Sequence, residues 1–182
     1  MRTLILSGRH GQAGPLVARA LALGATAAWG LDLDDAFLAR PLAAQLGQIR
    51  EALPPSPSLL VGRSYGAYLL LLVLLDLPPR GDHVLLLGPV LGPSLSGPVK
   101  VLPPRSQRFL RAVDAGSFPA PARTVVVTGA LDQSCPPALA RRFCDGVAGA
   151  ELQLLPEADH HLAPAVQERA LRALLEALRG PP

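Results

Sequence analysis

The stretch SLLVGRSYGAYLLLLVLLDLPP, residues 58–79, decides how this chain folds. A short apolar run leads into Gly62-Arg63-Ser64-Tyr65-Gly66, and a segment that is apolar on every side follows at once. Glycine weakens strands and helices, so the two glycines indicate a backbone geometry that other residues cannot adopt. A strand, a GxSxG turn and a buried helix together predict a nucleophile elbow, in which a strained serine presents its hydroxyl at the end of a sheet. The simpler alternative is a glycine-rich turn that holds an inert serine.

The pattern on either side of this turn predicts an α/β protein. Short apolar runs alternate with longer segments of helical period, which is typical of a three-layer, doubly wound, mostly parallel sheet with helices on both faces. Several runs are apolar without interruption, as expected for strands that are covered on both sides. The predicted strands are RTLILSG (2–8), ATAAWGLDL (25–33), SLLVG (58–62), HVLLLGPV (83–90), TVVVTGA (124–130) and ELQLLPE (151–157).

Helices are predicted between these strands. The first begins near Pro15, which suits a first helical position, and ends at Gly24. Residues 35–53 carry apolar side chains at spacings of three and four, which predicts one amphipathic helix. Its apolar positions are Leu42, Leu46, Ile49 and Leu53. The last predicted helix follows the last strand and ends at Gly180.

The length of the chain predicts its domain organisation. At 182 residues, the chain lies within the usual range of a single domain, so we expect one domain over residues 1–182. Residues 89–121 are rich in Pro and Gly and include one short helical stretch near Phe109. We expect this segment to be a short insertion over the edge of the sheet.

Charge and hydropathy exclude several classes of partner. The formal net charge is +3, but the arginines are scattered and form no basic run interleaved with aromatic residues, so we expect no nucleic-acid partner. The longest apolar run, residues 67–77, is shorter than the roughly 20 residues that span a bilayer. The apolar run near the N-terminus, residues 4–6, is too short for a signal peptide. We therefore expect a cytoplasmic protein with no membrane partner, and the sequence leaves its oligomeric state open.

Two cysteines provide no framework for disulfides. Cys135 and Cys144 are too few for such a framework, and their spacing fits no zinc-ligand pattern with neighbouring histidines. We expect two free thiols, no metal site and no cofactor.

A serine is a weak nucleophile unless a base, oriented by a third group, activates it. In the fold that contains this elbow, the chain order is Ser, then acid, then His, and each residue follows a strand. Asp132 follows TVVVTGA, and the pair His160 and His161 follows ELQLLPE. Asp132 could instead be an ordinary turn carboxylate. Asp159 is a rival acid, although it adjoins the histidines in sequence.

With these motifs in the required order, the chain resembles the α/β-hydrolase superfamily over essentially its whole length. Its size is similar to that of the small single-domain serine hydrolases of the retinoblastoma-binding-protein-nine type or of the dienelactone-hydrolase type. The resemblance implies that Asp132 is the acid and places the base directly after "AD", at His160. His161 then stays an alternative base or a pocket residue, and His10 could line the pocket beside the first loop.

The resemblance also implies a carboxylesterase-like reaction on a small-molecule acyl substrate, an ester, thioester or amide. Two backbone N–H groups would stabilise the oxyanion, those of Tyr65 and of Arg9 in the first loop. The family often has His-Gly before the oxyanion residue, whereas this chain has Ser7-Gly8-Arg9. Whether the Arg9 side chain contacts an acidic substrate is left open by the sequence.

Two other functions compete with hydrolysis. A catalytically silent binding protein could retain the same three residues, because fold does not determine function. A nucleotide-binding module could begin with the strand, glycine-rich loop and helix of residues 4–21, with Asp32 further along. The spacing of Gly8, Gly11 and Gly14 is GxxGxxG, however, and not GxGxxG.

Overall fold

The computed structural model describes residues 1–92 and 104–179, in which strands and helices alternate. The strands are β1 (Arg2–Arg9), β2 (Ala27–Leu33), β3 (Leu59–Arg63), β4 (His83–Leu87), β5 (Arg123–Gly129) and β6 (Ala150–Leu155). The helices are α1 (Gly14–Ala22), α2 (Asp35–Leu38), α3 (Leu42–Ala52), α4 (Ser64–Leu75), α5 (Pro104–Asp114), α6 (Pro137–Gly146) and α7 (Pro164–Arg179). The six strands form one parallel sheet in the order β2-β1-β3-β4-β5-β6.

Helices cover both faces of this sheet, which confirms the predicted three-layer α/β architecture. Successive side chains of a strand point to opposite faces. In β1, Leu4 and Leu6 accordingly join the cluster that contains α3, α4, α5 and α6, whereas Ile5 joins the cluster that contains α1 and α7. All three side chains are fully buried.

Helix α4 lies at the centre of one layer. Its residues from Leu69 to Leu75 are all buried, and the helix packs against β1 and β3. Full burial of one leucine side chain stabilises the fold by about 2 kcal/mol. This burial on every side accounts for the absence of a polar stripe in the sequence of α4, and it holds the start of the helix rigidly against the sheet.

The predicted helix over residues 35–53 is wrong in one respect, because the structure divides it into α2 and α3 at Pro41. Proline has no N–H to donate, and its ring disfavours a helical conformation in the preceding residue. Asp34 starts the short α2 separately, since its Oδ1 accepts the Phe37 N–H at 2.8 Å. Within α3, Leu46 and Ile49 are buried, as their spacing predicts.

The segment 89–121 also differs from expectation where the structure describes it. Its helix α5 packs against α4 and α6 in the helical layer, not over the edge of the sheet. The rings of Phe109, Phe118 and Phe143 lie about 6 Å apart, centroid to centroid. Residues 93–103 of this segment, and Gly180 at the predicted end of α7, lie outside the described residues.

Helix α6 has no counterpart among the sequence predictions. It buries Ala140 and Phe143, which are three residues apart, and exposes Arg141, Arg142 and Asp145. Pro137 starts it, as proline often does in the first turn of a helix. So short an apolar stripe is difficult to distinguish from a loop in the sequence.

The strand order creates a crevice at one edge of the sheet. After β1 the chain moves outward to β2, whereas β3 lies on the other side of β1, so the loops after β1 and β3 diverge. Ligands of parallel α/β sheets bind at such a point, outside the carboxyl ends of the strands. At the outer edge, the Trp29 indole N–H donates to the Ala52 carbonyl at 3.1 Å and ties β2 to the end of α3. No helix in the described ranges is both long enough and apolar enough to cross a membrane.

Candidate active site

The turn between β3 and α4 places Ser64 at the carboxyl end of the sheet. Ser64 has φ +46°, in the left-handed region that is unfavourable for residues other than glycine. A Cβ at Gly62 would lie 2.5 Å from the Ala67 Cα, and a Cβ at Gly66 would lie 2.1 Å from the Ser7 carbonyl oxygen. Both distances are shorter than real Cβ contacts, so the sharp turn requires glycine on each side of the serine.

Three side chains from three loops meet at this turn. The Ser64 Oγ lies 2.7 Å from His160 Nε2, and His160 Nδ1 lies 2.9 Å from Asp132 Oδ2. An ionised carboxylate only accepts hydrogen bonds, so Asp132 holds the proton on Nδ1 and leaves the Nε2 lone pair facing the serine hydroxyl. The arrangement can therefore take a proton from Ser64.

The loop after β5 fixes the orientation of Asp132, whose side chain is fully buried. Its Oδ1 accepts the N–H groups of Ser134 and Cys135, each at 2.8 Å. The Thr128 hydroxyl lies 3.4 Å from Oδ2. These donors replace the water that a buried carboxylate loses, and they direct Oδ2 towards His160.

The loop that carries His160 approaches two neighbouring loops closely. A Cβ at Gly129 would lie 2.0 Å from the Ala158 carbonyl oxygen, and one at Gly88, which has φ +51°, would lie 3.1 Å from the His160 carbonyl oxygen. Glycine after β4 and at the end of β5 thus allows the imidazole to reach Ser64.

The two residues whose N–H groups are predicted to stabilise the oxyanion, Tyr65 and Arg9, lie at the start of α4 and at the end of β1. Tyr65 lies in the first turn of α4, where N–H groups have no partner within the helix. In the loop after β1, the His10 N–H donates to the Leu33 carbonyl at 2.8 Å and the Gly11 N–H to the Gly8 carbonyl at 3.0 Å. Those two donors are engaged, and Arg9 stays the residue that the sequence predicts for the oxyanion.

Ser7 holds the first loop in place, a role that the sequence alone does not reveal. Its hydroxyl accepts the Leu33 N–H at 2.8 Å and donates to the Gly8 carbonyl at 3.0 Å. These bonds bridge the point where the register of β1 and β2 shifts, between Leu6 and Arg9. A small hydroxyl therefore stands where the hydrolase family often has histidine.

A cavity of about 250 Å³ opens beside Ser64, and two arginines line it together with His160 and His161. Arg63 is half-buried, and this burial lowers the pKa of its guanidinium. The Arg9 guanidinium lies 5.7 Å from the centre of the Tyr65 ring, within the range of a cation–π contact. Within the described part of the chain, no carboxylate side chain belongs to the lining of this cavity.

The other two predicted histidines lie differently. The His161 ring is at the rim, edge-on to His160 at 5.6 Å, and its backbone N–H donates to Asp159 Oδ1. His10 is outside the cavity lining, because its Nδ1 lies 2.9 Å from Asp35 Oδ1 on the exposed surface. The rival acid Asp159 is thus engaged within its own loop.

Asp32, the ribose-binding candidate of the nucleotide alternative, has a local partner. Its Oδ1 accepts the Ala13 N–H at 2.7 Å, at the start of α1. Neither cysteine side chain belongs to the lining of the cavity. Both thiols are free, and burial raises the pKa of Cys135 to about 12 and that of Cys144 to about 11. Among the residues that the structure describes, no group of three or more His, Cys, Asp or Glu side chains could hold a metal ion.

Comparison with known proteins identifies the fold. No family model and no curated protein matches the chain. Solved structures do match, among them a monoacylglycerol lipase from Paleococcus ferrophilus, with a TM-score of 0.70 and 14% identity over 97% of this chain and 93% of the lipase. An esterase from Exiguobacterium antarcticum matches with a TM-score of 0.67 and 16% identity, over 99% of this chain and 92% of the esterase.

A thioesterase domain from the curacin biosynthetic pathway matches with a TM-score of 0.64 and 16% identity, over 96% of this chain and 90% of that domain. The chain therefore has the α/β-hydrolase fold, as its motifs predict. Identities this low establish the fold alone.

Proposed function

We propose that this protein is a serine hydrolase that cleaves small esters, thioesters or amides through an acyl-enzyme. One observation carries the proposal: the continuous chain of contacts from Ser64 Oγ to His160 and on to Asp132, at 2.7 and 2.9 Å. The strained turn at Ser64 and the buried, fully bonded Asp132 support it, because both are costly features that a merely structural turn does not need.

In the proposed reaction, Ser64 Oγ attacks the carbonyl carbon of the substrate while His160 Nε2 accepts its proton. Asp132 stabilises the imidazolium that forms. The tetrahedral intermediate collapses when Nε2 returns the proton to the leaving group, and the acyl group stays on Ser64. Water then attacks the acyl-enzyme with His160 again as the base, so the reaction needs no cofactor.

The negative charge that develops on the carbonyl oxygen would be met by the N–H groups of Tyr65 and Arg9. The loss of one such donor costs about 3–4 kcal/mol of transition-state stabilisation. Neither contact depends on a side chain, so the replacement of the family's histidine by Ser7 is compatible with the proposal.

The size of the cavity favours short acyl groups. Its volume of about 250 Å³ is just below that of typical ligand pockets, which measure about 300–1,000 Å³. Activity on 4-nitrophenyl esters is therefore expected to fall as the acyl chain lengthens. A preference for long chains would contradict a small acyl substrate.

A fluorophosphonate probe tests the proposal directly, because it reacts with serines that are activated by a base. We expect labelling of the wild type and of Ser117→Ala, whose serine is exposed on the surface, but none of Ser64→Ala. His160→Ala is expected to lose labelling, whereas His161→Ala retains it. A folded wild-type protein that does not react would refute the proposal and favour a binding function on the same scaffold.

A further inference from the structure

The crevice contains two positive charges without a negative partner. Several other arginines pair with carboxylates, as Arg80 does with Asp82 and Arg123 with Glu151. The arginines of the described ranges that have no such partner are mostly exposed, as Arg111 is, whereas Arg63 is half-buried. In residues 1–92 and 104–179, neither Arg9 nor Arg63 forms an ion pair with a carboxylate. Both line the cavity beside Ser64.

The position of Arg63 is unfavourable in the free protein, whereas Arg9 is exposed to solvent. A half-buried guanidinium loses part of its hydration, and no carboxylate of the cavity lining compensates for the loss. Arg63 immediately precedes the nucleophile and ends β3, so its backbone is fixed by the sheet. Arg9 is held over the Tyr65 ring, next to the same serine. An anionic group bound beside the scissile bond would offset the cost.

We propose that the substrate carries a carboxylate group close to the acyl bond that Ser64 attacks, and that Arg63 and Arg9 bind this carboxylate. The proposal rests on the proposed hydrolase function and specifies its substrate class. Guanidinium groups pair with carboxylates through two parallel hydrogen bonds, which fixes the direction of the bound group as well as its charge. A carboxylate is also small enough to share a cavity of about 250 Å³ with the reacting ester.

Matched esters test this substrate class. The 4-nitrophenyl monoesters of dicarboxylic acids, from glutarate to suberate, are compared with 4-nitrophenyl esters of monocarboxylic acids of equal chain length. At least one dicarboxylate is expected to exceed its neutral match by about tenfold in kcat/KM, the usual contribution of a charge-assisted hydrogen bond. The preference is expected to shrink as salt is raised, because ions screen the attraction. Neutral esters that are cleaved as fast as their anionic matches throughout the series would overturn the inference.

Arginine variants locate the preference. In Arg63→Gln the ratio of kcat/KM for the anionic and neutral esters is expected to fall towards one, and Arg63→Lys is expected to restore part of it. Arg9→Gln is expected to lower the same ratio, because the guanidinium is removed. The variant keeps the backbone N–H at position 9, so the proposed oxyanion donor is not lost. Arg111→Gln, an exposed arginine on α5, is the matched control and is expected to leave both rates unchanged. A ratio that persists in both Arg63→Gln and Arg9→Gln would overturn the assignment of these residues.

The failure of this inference can be distinguished from the failure of the hydrolase proposal. A protein that cleaves the neutral esters without preferring the anionic ones is a hydrolase for which the inference is wrong. A protein that cleaves no ester and does not react with fluorophosphonate is not a serine hydrolase. In that case adipate binding to Ser64→Ala, measured by calorimetry with hexanoate as the control, decides whether the two arginines form an anion site.

Discussion

The strained backbone of Ser64 makes a prediction about stability that does not depend on any activity. Left-handed backbone costs a residue with a side chain about 1–2 kcal/mol, and Ser64 has φ +46°. Ser64→Ala and Ser64→Gly both lose the hydrogen bond to His160, so the difference between them reports on the backbone alone. Glycine removes the strain but adds about 0.4–1 kcal/mol of entropy to the unfolded chain. Ser64→Gly is therefore expected to be more stable than Ser64→Ala by about 0.5–1 kcal/mol.

Urea unfolding of the two variants measures this difference as a shift in midpoint at constant slope. In a thermal scan it corresponds to roughly 1–3 °C for a chain of this length. Gly149→Ala is the matched control: Gly149 has φ +72° and no atom closer than 3.7 Å to its added Cβ, so this variant should lose about as much as Ser64→Gly gains. A loss of stability in Gly149→Ala would show that the assay detects left-handed strain. If Ser64→Gly is then no more stable than Ser64→Ala, the strain at Ser64 is refuted.

Three other predictions concern the packing of α4 on the sheet and the two thiols. Gly66→Ala places a Cβ 2.1 Å from the Ser7 carbonyl oxygen, so α4 must move away from β1. We expect the free energy of unfolding in urea to fall by about 1–3 kcal/mol and fluorophosphonate labelling to be slower. Wild-type values for both measurements would contradict this packing. Burial raises the pKa of Cys135 to about 12 and that of Cys144 to about 11, so iodoacetamide at pH 8 should alkylate neither thiol until the protein is unfolded. Because both pKa values are higher in the native state than in the unfolded chain, the two protonated thiols contribute stability below pH 9, and this contribution is lost as pH rises towards 12. If the free energy of unfolding falls equally steeply with pH in the Cys135→Ala/Cys144→Ala variant, the thiols are not the cause of the loss.

Much of the candidate site could be predicted because a parallel sheet brings the ends of its strands to one edge. Ser64, Asp132 and His160 each follow an apolar run within a few residues, so their order along the chain is enough to place them on the same side. The role of the two glycines around Ser64 could also be predicted, since close packing between a strand and a helix excludes a Cβ. The three-layer architecture follows from the uninterrupted apolar runs.

Features that depend on the direction of one side chain or on a single bond could not be predicted. His160 and His161 are adjacent and identical in type, so only the path of their loop decides which ring reaches Ser64. The Ser7 hydroxyl replaces a bond of the β1–β2 ladder, which requires knowledge of the register shift. Arg63 is one residue from the nucleophile, but whether its side chain enters the crevice depends on the turn.

The strand order has a consequence for how folding of this molecule can be followed. Trp29, the single tryptophan of the chain, lies on β2 at one margin of the sheet, whereas His160 follows β6 at the opposite margin. During refolding, indole fluorescence would report when the β2 edge of the sheet forms. Fluorophosphonate reactivity would report when the loop after β6 brings His160 to Ser64. The two signals thus report on opposite edges of the sheet, and a delay between them would show that the two edges assemble one after the other.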